Sequence, residues 1–161
     1  MTGRLILALA TAARGAGTVA VASAGGGEGG PEAGPASAKR WRALDRAPLK
    51  VQEVAAARIG RDVYVVGGFL EGGVTTDQVS RYDIKKGRWR TVEPLPIAVD
   101  HPAATSSGGK LYVYGVFGGG GPDIATPRLF RYDRAADRWT EFASSSIPRG
   151  AHALGAVDGK L

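Results

Sequence analysis

The sequence predicts an all-β fold built from repeated four-stranded antiparallel meanders. Three observations predict it. An apolar strand ending in glycine occurs twice, as V-Y-V-V-G-G at 63–68 and L-Y-V-Y-G-V at 111–116. A tryptophan preceded by arginine recurs at Trp41, Trp89 and Trp139, and an R-Y-D triplet recurs at 81–83 and 131–133. The tryptophans lie 48 and 50 residues apart. A period of that length points to propeller blades or helical arrays.

The register is strict. Counted from each tryptophan, Tyr64 and Tyr112 both fall at +23, and Ala55, Ala103 and Ala153 at +14. Pro48 and Pro96 fall at +7, Pro148 at +9, and each R-Y-D tyrosine, Tyr82 and Tyr132, precedes its tryptophan by seven. Helical arrays fail on local chemistry. Each unit holds short runs rich in Val, Tyr and Thr, broken by Gly and Pro, with no 3.6-residue apolar stripe of useful length.

Four strands per unit follow. In the first unit they are expected at 51–59, 62–68, 77–83 and 88–92, and in the second at 99–107, 110–116, 127–133 and 138–142. Residues 40–44 are expected as an isolated fourth strand, and a third unit is expected to begin at 150. Gly60-Arg61, Gly108-Gly109 and Asp158-Gly159 read as two-residue hairpin turns, where positive φ is wanted. Gly87 and Asp137 occupy one matching slot between third and fourth strands, and both residue types tolerate the left-handed region.

With these residues in place, the glycine-ended strand, the R-Y-D triplet and the R-W pair resemble the kelch repeat, a blade of a β-propeller. The resemblance covers about residues 40–161. One departure stands out: Gly67-Gly68 aligns with Gly115-Val116, and a glycine run at 118–121 follows instead of a second glycine. The blade gives the repeated residues structural roles. Gly67, Gly68 and Gly115 let the backbone turn and approach a neighbour, and Trp41, Trp89, Trp139, Tyr64, Tyr82, Tyr112 and Tyr132 supply packing surface. Propellers close a ring of 4 to 8 blades. About two and a half blades are present here, so the expectation is a fragment of a longer propeller, its ring closed by missing blades or another chain.

Composition narrows the function classes. The 161 residues contain no cysteine, which excludes disulfides, thiolate zinc sites and cysteine nucleophiles. The net charge of +6 lies in the repeat region but is scattered one or two residues per strand, with the densest run at Lys85-Lys86-Gly87-Arg88. Such scatter, with no aromatic-basic platform, argues against nucleic acid as a partner.

The N-terminus is a separate region. Arg4, the apolar run 5–13 and Ala22-Ser23-Ala24 form an export-signal pattern over 1–24, and 25–38 is a Gly/Ala/Pro linker. The expected location is secreted or periplasmic, with cytoplasmic as the alternative. Arg14 interrupts the apolar run, so no membrane span is expected there.

The meander places the second-to-third and fourth-to-next connections at one end and the tight hairpins at the other. Loops on a rigid scaffold are where binding usually resides. The candidate binding-face residues are therefore Phe69, Glu71, Asp100, His101, Arg149 and His152. His101 and His152 lie at +12 and +13 from their tryptophans, out of register and without partners at metal-ligand spacing. No catalytic, cofactor-binding or metal residues are indicated. The kelch resemblance implies a non-catalytic module that binds a protein or a glycan. The alternative is an exported sugar-acting propeller enzyme of the mutarotase kind. Galactose oxidase also has a kelch-like propeller, but its copper site needs a Tyr-Cys crosslink that this sequence does not supply.

Overall fold

The computed structural model describes residues 41–115, 117, 124–142 and 144–161. The expected export signal and linker lie outside the described residues, as do Arg40, Val116 and the glycine run at 118–121. The chain divides into a first unit ending at Ala43 and a second unit, Leu44–Leu161. Among the described residues no helix is long and apolar enough to cross a membrane.

The second unit contains two antiparallel sheets of four strands in sequence order. The first holds β1 (Ala55–Ile59), β2 (Asp62–Val66), β3 (Val79–Asp83) and β4 (Arg88–Val92). The second holds β5 (Ala103–Ser107), β6 (Lys110–Tyr114), β7 (Leu129–Asp133) and β8 (Arg138–Phe142). Both fourth strands have the expected bounds. The others are shorter than expected; of the residues trimmed from them, Gln52, Val99 and Asp100 form isolated bridges instead, to Phe69, Thr76 and Phe117.

Tight turns set the register. Ile59 pairs with Asp62 and Ser107 with Lys110, leaving two-residue hairpins. Gly108 and Gly109 both have positive φ, whereas only Gly60 does in the first turn, so Arg61 keeps an ordinary backbone. The turn between third and fourth strands explains the aspartate of R-Y-D. Asp83 Oδ1 accepts from the amides of Lys85 and Lys86 at 3.0 and 2.9 Å, and Asp133 Oδ1 accepts from those of Ala135 and Ala136 at 2.9 and 3.3 Å. These bonds hold both carboxyls below the usual carboxylate range, with the Lys110 ammonium the largest influence on Asp133.

Each R-Y-D tyrosine faces its R-W tryptophan across the strand pair, Tyr82 on Trp89 and Tyr132 on Trp139, with ring centroids 5.0 Å apart in both. The core lies between the sheets. Tyr64, Val66, Val79 and Val92 of the first face Leu111, Val113, Phe130, Tyr132 and Trp139 of the second, with Leu95 and Val99 from the connection packed among them. Each large apolar side chain sealed there contributes about 1.5–3 kcal/mol. The ring of Tyr64 meets that of Tyr132 edge-on at 5.5 Å.

Polar contacts fix how the sheets stack. The indole of Trp139 donates to the carbonyl of Glu93 at 2.8 Å, and that of Trp89 donates to the carbonyl of Asp45 at 3.0 Å. Glu93 and Asp45 are equivalent, each four residues after the preceding tryptophan of the repeat. The buried carboxylate of Asp62 is held by Arg81 of its own sheet at 2.8 Å and by Arg134 of the next at 3.0 Å. Tyr132 donates its hydroxyl to Asp137; burial first, then this bond, pushes the phenol upward, and the same bond holds the Asp137 carboxyl down.

One expectation is corrected. Residues 41–44 form no strand, Trp41 is 79% exposed, and among the described residues none forms a bridge with them. From residue 150 onward the only pairing among described residues is the Val157–Lys160 bridge. Its turn, Asp158-Gly159, has the expected positive φ at both positions.

Candidate binding face

The site is built where the sheets begin. The residue that leads into each first strand has a left-handed backbone: Glu53 at φ 56 before β1 and His101 at φ 47 before β5. Ala151, in the matching slot after Trp139, has φ 51. The amide of His101 donates to the carbonyl of Glu53 at 3.2 Å, and the amide of Ala151 donates to that of His101 at 3.1 Å. Successive repeats are thus joined at their entry points by a chain of backbone hydrogen bonds. The left-handed conformation costs a non-glycine residue roughly 1–2 kcal/mol, and the two bonds offset part of it.

A second repeated device brings phenylalanines to the same place. Gln52 and Phe69 exchange backbone hydrogen bonds at 3.1 and 2.9 Å, and Asp100 and Phe117 do so at 3.1 Å in both directions. The half-buried rings of Phe69 and Phe117 flank the imidazole of His101 edge-on, at 5.9 and 5.5 Å. Beneath Phe117 lies Gly150, where a Cβ would stand 2.5 Å from the ring, so a side chain there would displace it.

His101 is the hub. Its Nδ1 lies 2.8 Å from Asp100 Oδ1, and its Nε2 meets the carboxylate of Glu53. A neutral imidazole donates from one nitrogen only, whereas the imidazolium donates from both and satisfies both carboxylates. Asp100 is 7% exposed and also accepts from Thr75 Oγ1 at 3.2 Å. The imidazole therefore links the entry of one sheet to the entry of the next, with about a third of its side chain open to solvent.

Three of the six expected residues, Phe69, Asp100 and His101, come together. Of these, Asp100 is buried and is not open to solvent as His101 is. Glu71 is exposed in a separate turn closed by Leu70 N to Val74 O at 2.8 Å. Arg149 is exposed and bridged through its backbone to Thr126. His152 does not present its ring nitrogens to solvent. Both are shielded and, among the described residues, unpartnered; its ring meets Tyr114 at 5.3 Å, and burial, with Arg149 second, pushes its pKa down. Two members of the cluster, Glu53 and Phe117, were missed. Register carried the signal: Glu53 matches His101 at +12, and Phe117 matches Phe69 at +28.

The arrangement offers apolar ring edges beside one partly exposed imidazole and one exposed carboxylate. Glu53 and Asp100 sit against opposite nitrogens of the ring, so they do not converge. Among the described residues no group of three or more His, Cys, Asp or Glu side chains is placed to hold a metal ion.

Two stacked four-stranded meanders with identical cross-strand aromatic pairs are blades of a β-propeller. Residues 53–96, the whole first sheet with its entry and exit, match the Kelch motif. The first sheet thus carries a kelch motif, and the second sheet repeats its four-stranded topology in register. No curated protein matches the chain.

Proposed function

We propose that this chain is a binding module that holds a protein or a glycan on the loop end of its blades, centred on Phe69, His101, Phe117 and Glu53. The observation that carries this reading is their convergence. Two sheets contribute matching entry residues and matching phenylalanines to one partly exposed cluster, on a scaffold that interlocks through Trp139 and Asp62. Kelch repeats commonly serve as interaction modules, and aromatic groups in half-buried settings are the usual anchors of an interface. The cluster uses both means of recognition: ring edges for apolar or sugar C–H surface, and the exposed Glu53 carboxylate for directed hydrogen bonds.

The test is a glycan array and a panel of candidate protein ligands probed with the full chain and with Phe69→Ala/His101→Ala. Loss of an anchor pair should weaken a ligand at least about tenfold. A ligand bound equally by both proteins would place recognition elsewhere and refute the assignment.

A further inference from the structure

A second site lies away from the loop end. Arg81, Asp83, Lys86, Arg88, Trp89 and Arg90 line a small surface cavity of about 70 Å³ beside the pairing of β3 with β4. Four of the six are cationic. The one carboxylate, Asp83, already accepts the amides of Lys85 and Lys86.

Three features mark this cavity. Arg81 and Arg90 are directly opposed across the strand pair. Like charges at such positions repel. Asp62 engages the Nη2 end of Arg81, at 2.8 Å, and among the described residues the buried Nε of Arg81 has no partner. Among the described residues Lys86, Arg88 and Arg90 form no salt bridge.

The second sheet is an internal control. The slots of Lys86 and Arg90 hold Ala136 and Thr140 there, and the same turn and strand form: Asp133 accepts the amides of Ala135 and Ala136, and Arg131 pairs with Thr140. The blade therefore needs neither cation for its own construction. Placing both beside Arg81 and Arg88 raises the positive charge of the cavity wall and adds N–H donors to it.

We propose that this cavity binds an oxyanion, a phosphate or sulfate group, on Arg81, Lys86, Arg88 and Arg90. Such a group offsets the Arg81–Arg90 repulsion and accepts charge-assisted hydrogen bonds from guanidinium groups, whose planar fork suits it. The indole of Trp89, in the cavity wall, reports on occupancy.

The experiment is a titration of the full chain at constant ionic strength, with sodium chloride as the balancing salt, following the Trp89 indole resonance and the backbone amides by NMR. The probes are inorganic phosphate, inorganic sulfate and their methyl esters, with acetate as the monoanionic control. The expected result is a saturable shift confined to residues 81–90, with half-saturation on the order of millimolar for the dianions and at least about tenfold weaker for acetate. Tighter binding of the esters points to a modified partner, and tighter binding of the free ions to the inorganic species; either supports the site.

Lys86→Ala/Arg90→Thr, which installs the residues of the second sheet, should weaken phosphate at least about tenfold while amide dispersion is unchanged. Linear, unsaturable shifts, shifts spread over all basic residues, or equal affinity in the variant would each overturn the proposal. If the variant loses its dispersion, the wild-type shift map and its preference for dianions over acetate decide the question alone.

Discussion

Gly67→Ala tests whether the sheets are held at a distance that only glycine permits. Gly67 has φ +60, and a Cβ built there would lie 2.5 Å from Val99 Cγ2 and 2.7 Å from the Val99 carbonyl oxygen. That carbonyl cannot yield freely, because it accepts the amide of Gly68 at 2.8 Å. The left-handed backbone costs an alanine roughly 1–2 kcal/mol, and forcing extra volume into a packed junction costs about 1–3 kcal/mol more. The expected loss is thus about 2–5 kcal/mol, a large share of the 5–15 kcal/mol typical of a domain. Gly72→Ala is the control. Its φ is +83, but nothing lies within 4 Å of an added Cβ, so it carries the backbone cost alone. Urea denaturation followed by tryptophan fluorescence should therefore show a midpoint for Gly67→Ala lower than that of Gly72→Ala by roughly 1 M, given slopes of about 1–3 kcal/mol/M. Equal midpoints would refute the close-approach argument. Gly115, at φ +60, faces the carbonyl of Arg149 at the same 2.7 Å, so the device belongs to the repeat.

Two further outcomes follow from contacts between the sheets. Trp139→Phe keeps a ring against Tyr132 but removes the indole donor to Glu93; it should cost roughly 1–2 kcal/mol, read as a lower melting temperature, and an unchanged melt would show the bond to be idle. His152 gives a pH dependence. Its folded pKa lies below the ordinary value of 6.5, chiefly through burial, so the folded state binds this proton less readily than the unfolded chain does. The stability tied to neutral His152 is present above about pH 6.5 and is lost as pH falls through the lower folded value. Melting the chain and His152→Phe at pH 7.5 and 5.5 checks this, since the variant should lose less on acidification.

The sequence alone determined the repeat, the four-stranded meander and the tight turns. These rest on local chemistry: alternating or buried apolar runs, glycines at positive φ, and an aspartate that caps its own turn. Two of its aromatic slots, Tyr82 with Trp89 and Tyr132 with Trp139, also follow from a cross-strand register that the turn length dictates. On the binding face, the loop topology brought Phe69, Asp100 and His101 into view.

Only the tertiary structure decided the rest. An arginine-tryptophan pair at 40–41 looks like those at 88–89 and 138–139, yet residues 41–44 form no strand, because a strand exists only with a neighbour to accept its hydrogen bonds. Glu53, His101 and Ala151 have nothing in common as side chains. What they share is a left-handed backbone imposed by bonding from one repeat to the next. His152 has the composition of a surface ligand and is instead packed against Tyr114 and Gly115. For the entry residues and for His152 the deciding partner lies tens of residues away in sequence, and no local pattern encodes which group that partner will meet.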